Sequence, residues 1–221
     1  MHIEPGIVTG AKIALSYVTA AGAGVYGAKL AWQSLHERGL PSLAGRSLLT
    51  TALAFSFFQI LPHFPVGVSE VHFILGSTLF LLFGAAPAAI GLALGLLIQG
   101  MLFAPFDLPQ YGMNLTTLLV PLFALQALAG RIIAPGTAYV DLSYGQAFAL
   151  STAYQGGVVA WVAFWAIYGQ GLAGIGGIAT FGAAYMLVVL IEPLVDLAVL
   201  AGAKSLRGLK DSGLVTSRLF A

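Results

Sequence analysis

QAFALSTAYQGGVVAWVAFWAIY (Gln146–Tyr168) runs without one charged side chain past the ~20 residues that a helix needs to cross ~30 Å of hydrocarbon. A soluble core helix of that length would need a polar face toward water, and this stretch has none. It predicts a membrane-spanning helix. The rest of the chain agrees: 59% of its 221 residues are hydrophobic and only 8% are Asp, Glu, Lys or Arg, against the usual quarter charged in soluble domains. Without cysteine there is no disulfide framework and no thiolate chemistry. A formal net charge of +1 gives no basic footprint for phosphate backbones, so nucleic acid is not a partner.

Working outward from Gln146–Tyr168, six more apolar runs stand out: Ala11–Trp32, Ser47–Leu61, a short one at Val71–Phe83, Pro87–Phe103, Leu115–Ile133 and Ile175–Ala203. Proline or glycine punctuates the breaks, as in Leu61-Pro62-His63-Phe64-Pro65, Ala104-Pro105-Phe106-Asp107-Leu108-Pro109 and Gly169-Gln170-Gly171. The expectation is an all-α polytopic bundle of seven transmembrane helices, residues 1–221 forming one integral membrane domain with no repeat and no polar linker.

Seven spans put the termini on opposite sides of the bilayer. With the amino terminus outside, Lys29, Arg38, Arg46, Arg131, Lys204, Arg207, Lys210 and Arg218 all fall inside, leaving only Lys12 of the nine Lys and Arg residues outside. That asymmetry obeys the positive-inside rule. It makes 204–221 a cytoplasmic tail and places residues 1–10 on the outer side.

The opening residues Met-His-Ile-Glu lack the basic start of a secretory signal, so the terminus is expected to be retained. A histidine in second position is ordinarily part of a frayed end. Its chemistry is nonetheless particular: a free terminal amine, the amide nitrogen of residue two and the ring Nδ1 can close two chelate rings on one metal ion. Nitrogen-rich tetragonal geometry suits Ni(II), Cu(II) or a related cobalt site. The in-plane position left open needs another donor. Of the four histidines, His36 falls in an inner loop, while His63 and His72 fall near the outer ends of the second and third spans. His72, in Ser69-Glu70-Val71-His72-Phe73-Ile74-Leu75-Gly76, lies at the start of the short third run and is the preferred partner of His2, with Phe64 and Phe73 shielding the site. His63 and Glu70 stay open as alternatives to it.

These residues resemble a known family. The Met-His-Ile start, a second histidine in a small-residue loop (Val66-Gly67-Val68-Ser69-Glu70-Val71-His72) and seven spans are similar to the substrate-binding components of energy-coupling-factor cobalt and nickel transporters, the CbiM/NikM family, over about residues 1–200. The resemblance implies that the amino-terminal segment folds into the bundle and that Met1, His2 and His72 hold Co(II) or Ni(II) as transported substrate, with no organic cofactor. It also implies partners: a transmembrane T component, cytoplasmic ATPases and a small accessory membrane subunit. The sequence departs from the family where Glu4 precedes Pro5 and Gly6, and where His72 is followed by Phe-Ile-Leu-Gly rather than lying in Ser-His-Pro-Thr-Gly. The family's Asn followed by Met-Gly is scrambled in Tyr111-Gly112-Met113-Asn114-Leu115.

Two further motifs were weighed. Gly22-Ala23-Gly24-Val25-Tyr26-Gly27 has the spacing of a nucleotide loop, but it lacks the preceding strand such a loop requires. Within an apolar run, small residues serve close helix approach, and Gly91 and Gly95 read the same way. Glu192 and Asp196 lie one turn apart on the last span. Counting ~1.5 Å per residue from Ile175 places Glu192 close to the inner surface, in an interfacial or structural role. Intramembrane acids are otherwise a functional hypothesis, so the alternative to an ATP-driven uptake component is a stand-alone secondary transporter or channel using Glu192 and Asp196. A structural scaffold is the third possibility. No nucleophile with a neighbouring base is visible, Ser143, Ser151 and Tyr154 having no evident partner, so the chain reads as no enzyme.

Overall fold

The computed structural model describes residues 2–206, and 83% of the structure is helical. Six helices follow in order: α1 (Ile13–Gln59), α2 (Gly76–Phe83), α3 (Ala85–Leu102), α4 (Tyr111–Ile132), α5 (Tyr144–Gln170) and α6 (Ile175–Ser205). Between α1 and α2 lies an antiparallel hairpin of β1 (His63–Val66) and β2 (Ser69–His72). Three stretches are long and apolar enough to cross a membrane: Ala85–Leu102, Pro105–Ile132 and Tyr144–Ser205, the last holding α5 and α6. Large apolar side chains such as Val25, Leu48, Leu172, Leu187 and Leu190 point outward. That surface suits lipid, not water.

Helix ends follow local chemistry. At the start of α5, Ser143 Oγ accepts from the Gln146 backbone N–H at 3.1 Å while Gln146 Oε1 accepts from the Ser143 N–H at 2.9 Å, a reciprocal cap. This extends the quoted run backward to Tyr144. The first two predicted spans form one element, α1, bent at Gly39 with φ 77° and followed by Pro41. Glycine supplies the left-handed turn and proline, lacking an N–H, fits the first turn of the next arm. The polar stretch read as an inner loop is therefore helical on both sides of that bend.

The third predicted span is corrected. Val71 and His72 belong to β2, not to a helix, and α2 begins only at Gly76. A short apolar run cannot by itself distinguish a buried strand from a helix. An eight-residue helix rises only ~12 Å, less than half the hydrocarbon thickness. The architecture is otherwise helical, consistent with an all-α membrane protein, and the short hairpin is added to it. Of the residues assigned to the inner tail, Arg207, Lys210 and Arg218 lie outside the described residues.

The core gathers Phe58, Tyr154, Trp165, Phe181 and Tyr185, all fully buried, at the contacts of α1, α5 and α6. The second arm of α1 lies directly on α3, because Gly91 and Gly95 let the backbones meet: a Cβ at Gly91 would collide with Thr50, and one at Gly95 with Ala54. Thr50 Oγ1 donates to the Pro87 carbonyl at 2.6 Å across the same contact. Gly91→Ala is expected to cost ~1–3 kcal/mol by overpacking, read as a lower melting temperature in detergent. Gly130→Ala, where a Cβ meets nothing within 4 Å, should be neutral or slightly stabilising. Equal behaviour of the two variants would contradict the contact.

Candidate metal centre

The amino-terminal segment is tied to the edge of the hairpin. Ile3 forms an antiparallel bridge with Ser69. The Glu70 N–H donates to the His2 carbonyl at 3.0 Å, the Glu4 N–H donates to the Val68 carbonyl at 3.1 Å, and Ser69 Oγ donates to the His2 carbonyl at 2.8 Å. From the opposite side, Asn114 Oδ1 on α4 accepts from the Ile3 N–H at 2.8 Å. Ile3 is fully buried. The segment then passes so close to the end of α5 that a Cβ at Gly169 would overlap the Ile7 carbonyl. Lys12 Nζ donates to the Gly169 carbonyl at 2.8 Å beside it.

This pairing carries His2 into the interior, where it is 3% exposed, next to His72 at 2%. Their ring centroids lie 5.8 Å apart, and Phe58 on α1 meets the His72 ring edge-on at 5.4 Å. Glu70 completes the group: one potential ligand atom from each of His2, Glu70 and His72 lies within 4.8 Å of the others. His2 Nδ1 is 2.6 Å from Glu70 Oε2. Since an ionised carboxylate only accepts, the ring presents its N–H at Nδ1 there, and His2 Nε2 is buried with no hydrogen-bond partner among the described residues. His72 Nδ1 lies 3.1 Å from the Phe73 carbonyl, which fixes the lone pair of that ring on Nε2.

Electrostatics favour a deprotonated donor set. Burial pushes the His2 imidazole below its ordinary 6.5, against the opposing pull of Glu70. Burial works to raise the Glu70 carboxyl, but the hydrogen bond and charge of His2 outweigh it and hold the group below the usual carboxylate range. The lowered His2 and lowered Glu70 together favour a neutral imidazole beside an ionised carboxylate. Glu4, half-buried nearby, is raised first by burial and then by Glu70. Neutral imidazoles and an ionised carboxylate are the forms that bind divalent metals.

Residues 2–210 match the family described as the cobalt uptake substrate-specific transmembrane region, CbiM. The chain belongs to that family. As a CbiM protein it is a membrane component of metal uptake. Its fold is shared with a solved structure described as a transition metal transporter, at 19% identity and a TM-score of 0.67 over 93% of both chains. A truncated transition metal transporter is similar too, at 19% identity and 0.66, with 91% of this chain and 97% of that one covered. No curated protein matches.

The other predicted residues of this CbiM protein are placed as follows. Met1 lies outside the described residues. His63 is the cross-strand partner of His72, half-exposed, with Nδ1 3.8 Å from Glu70 Oε1. Phe64, expected to shield the site, is 65% exposed, and Phe58 takes that place. His36 faces the Trp32 carbonyl on α1, far from the cluster in the fold. Glu192 and Asp196, expected in an interfacial or structural role, are both buried, Glu192 against the Ile74 and Leu75 N–H groups and Asp196 against the Ser77 and Thr78 hydroxyls. Gly22–Gly27 lies within α1 as ordinary helix. Sequence reasoning did not give Asn114 a role, because its neighbours match the family's third element only in scrambled order. Its position in the turn-and-a-half that follows Pro109, on an otherwise apolar helix, was the available signal.

Proposed function

We propose that this protein is the substrate-capturing subunit of an ATP-driven cobalt or nickel importer, holding the ion with the Met1 amine, the His2 amide nitrogen and ring, and the His72 imidazole. The observation that carries the reading is the burial of His2 beside His72 on a segment hydrogen-bonded into the hairpin. Three nitrogens from two adjacent residues form a rigid chelate with little freedom left to lose on binding. His72, oriented by its own neighbour's carbonyl, supplies the remaining in-plane donor. Binding through Nδ1 breaks the hydrogen bond to Glu70 and keeps the ring neutral with its proton on Nε2, and the freed Glu70 carboxylate is the near acceptor for the proton that the His2 amide gives up to become a ligand. The ion approaches from outside the cell, through the hairpin end of an inner-membrane bundle. ATP hydrolysis belongs to separate cytoplasmic subunits, coupled through a transmembrane T component.

The test uses full-length protein with an unextended amino terminus, with Ni(II) and Co(II) binding followed by calorimetry. Wild type should bind one ion, and His72→Ala should bind it at least ~10-fold more weakly, a loss of ~1.4 kcal/mol or more. Wild-type protein that takes up neither ion would sink the reading. The stand-alone transporter alternative has a distinct signature: uptake driven by an ion gradient without any ATPase and lost in Glu192→Gln.

Protons compete with the metal for the same lone pairs. Burial holds the His2 ring below 6.5, so above that pH the competing proton is the one on the Met1 amine, ordinarily about 7.7–8.0, and affinity should weaken as pH falls below that range. A titration of Ni(II) affinity against pH checks this. Affinity unchanged between about pH 8 and 6.5 would contradict an amine ligand.

A further inference from the structure

The connection from β2 to α2 is only three residues long, Phe73 to Leu75, and it leads straight out of His72. It ends on an unusual conformation. Leu75, the residue that precedes α2, has φ 53°, the left-handed region that a branched side chain avoids, and it offers no side-chain cap to the helix it starts. Such a conformation persists only where its surroundings impose it.

Those surroundings come from α6. Glu192 reaches across the bundle and spends both oxygens on this link: Oε1 accepts from the Ile74 N–H, and Oε2 accepts from the Leu75 N–H at 3.0 Å. Gln155 on α5 donates from Nε2 to Glu192 Oε2, and its own Oε1 accepts from Tyr185 Oη at 2.8 Å, so the carboxylate is held in one rotamer. Asp196, one turn further along α6, binds inside α2 itself, accepting from Ser77 and Thr78. At the other end of α2, Arg46 donates to the Phe83 carbonyl at 2.6 Å. Carboxylates at the amino end and a guanidinium at the carboxyl end suit the helix dipole, which accounts for Asp196 and Arg46. It does not account for Glu192, whose two bonds lie on the strand side, on the backbone directly following His72.

We propose that Glu192 is a positioning residue for His72: by gripping the Ile74 and Leu75 amides it fixes the direction in which the His72 ring meets the metal, and it ties that ligand to α6. This rests on the metal-binding reading given above. Its consequence is a mechanical link, since a shift of α6 relative to the hairpin pulls on the one in-plane ligand that does not come from the amino terminus. A carboxamide cannot replace the grip, because in either orientation its nitrogen would face a backbone donor, and at the Oε2 place it would also oppose the Gln155 amide.

The experiment uses the full chain and Ni(II) as probe, comparing wild type, Glu192→Gln, Asp196→Asn and His72→Ala by visible d–d absorption and affinity, with circular dichroism and gel filtration confirming the fold. Glu192→Gln is expected to move the Ni(II) band toward its position in His72→Ala and to weaken binding ~10–100-fold, as loss of a partner that orients a ligand typically does. Asp196→Asn is expected to lower the melting temperature while keeping the wild-type band and affinity. If Glu192→Gln fails to fold, Gln155→Met, which leaves the carboxylate but removes its donor, should shift the band in the same direction by less. A wild-type band and affinity in Glu192→Gln, or in Gln155→Met where that variant stands in for it, would overturn the proposal, as would an equal band shift in Asp196→Asn. Wild-type protein with no Ni(II) band at all would instead refute the metal-binding reading, a separate failure.

Discussion

Acetylating the amino terminus is expected to weaken Ni(II) binding by at least ~1,000-fold, ~4 kcal/mol, without unfolding the protein. Acetylation removes the primary amine and leaves the His2 ring in place. The segment from Ile3 to Val8 keeps its bridge to Ser69 and its bond to Asn114, so thermal stability should fall little. His2→Ala should match the affinity loss by removing the ring. It costs more stability, since a buried side chain in contact with Glu70 leaves a hole. If the blocked protein binds Ni(II) as tightly as the unblocked one, the amine is not a ligand and the donor set reduces to His2, Glu70 and His72.

The second large effect lies away from any ligand. Gly67 turns the hairpin with φ 65°, and a Cβ there would collide with the Gly177 carbonyl on α6. Gly67→Ala therefore carries two penalties, ~1–2 kcal/mol for the left-handed backbone and ~1–3 kcal/mol for displacing a packed main chain. Relief requires the hairpin to lift off α6, and His72 and Glu70 travel with it. Both the melting temperature and Ni(II) affinity should drop. Gly136→Ala is the comparator: its φ of 78° carries the same conformational penalty, but nothing lies within 4 Å of the added carbon, so it should cost about 1–2 kcal/mol and leave Ni(II) affinity unchanged. Metal affinity lost equally in both would mean that the close approach to α6 does not position the site.

How far the residues alone lead depends on what kind of signal each element leaves. The long apolar runs were legible because lipid imposes one rule on every turn, and α3, α4, α5 and α6 lie within a few residues of where composition puts them. His2 was legible for a chemical reason, its place beside a terminal amine. The hairpin was not, because Val71-His72-Phe73-Ile74 is largely apolar whether it pairs as strand or coils as helix, and only its pairing with β1 and the Ser69 bridge to Ile3 decide between them. The partners of Glu192 were not legible for a geometric reason. Counting along α6 gives depth for a straight helix crossing a bilayer, but says nothing of the link between β2 and α2, whose Ile74 and Leu75 amides need acceptors at that level. Asn114 was hidden because its partner is a backbone N–H, and backbone partners leave no trace in side-chain motifs.

Anomalous diffraction at the nickel edge, from crystals of unextended protein grown with Ni(II), tests the central claim most directly. One peak is expected ~2 Å from each of four nitrogens: the Met1 amine, the His2 amide, His2 Nδ1 and His72 Nε2. A peak between Glu192 and Asp196, or none within bonding reach of His2, would contradict it.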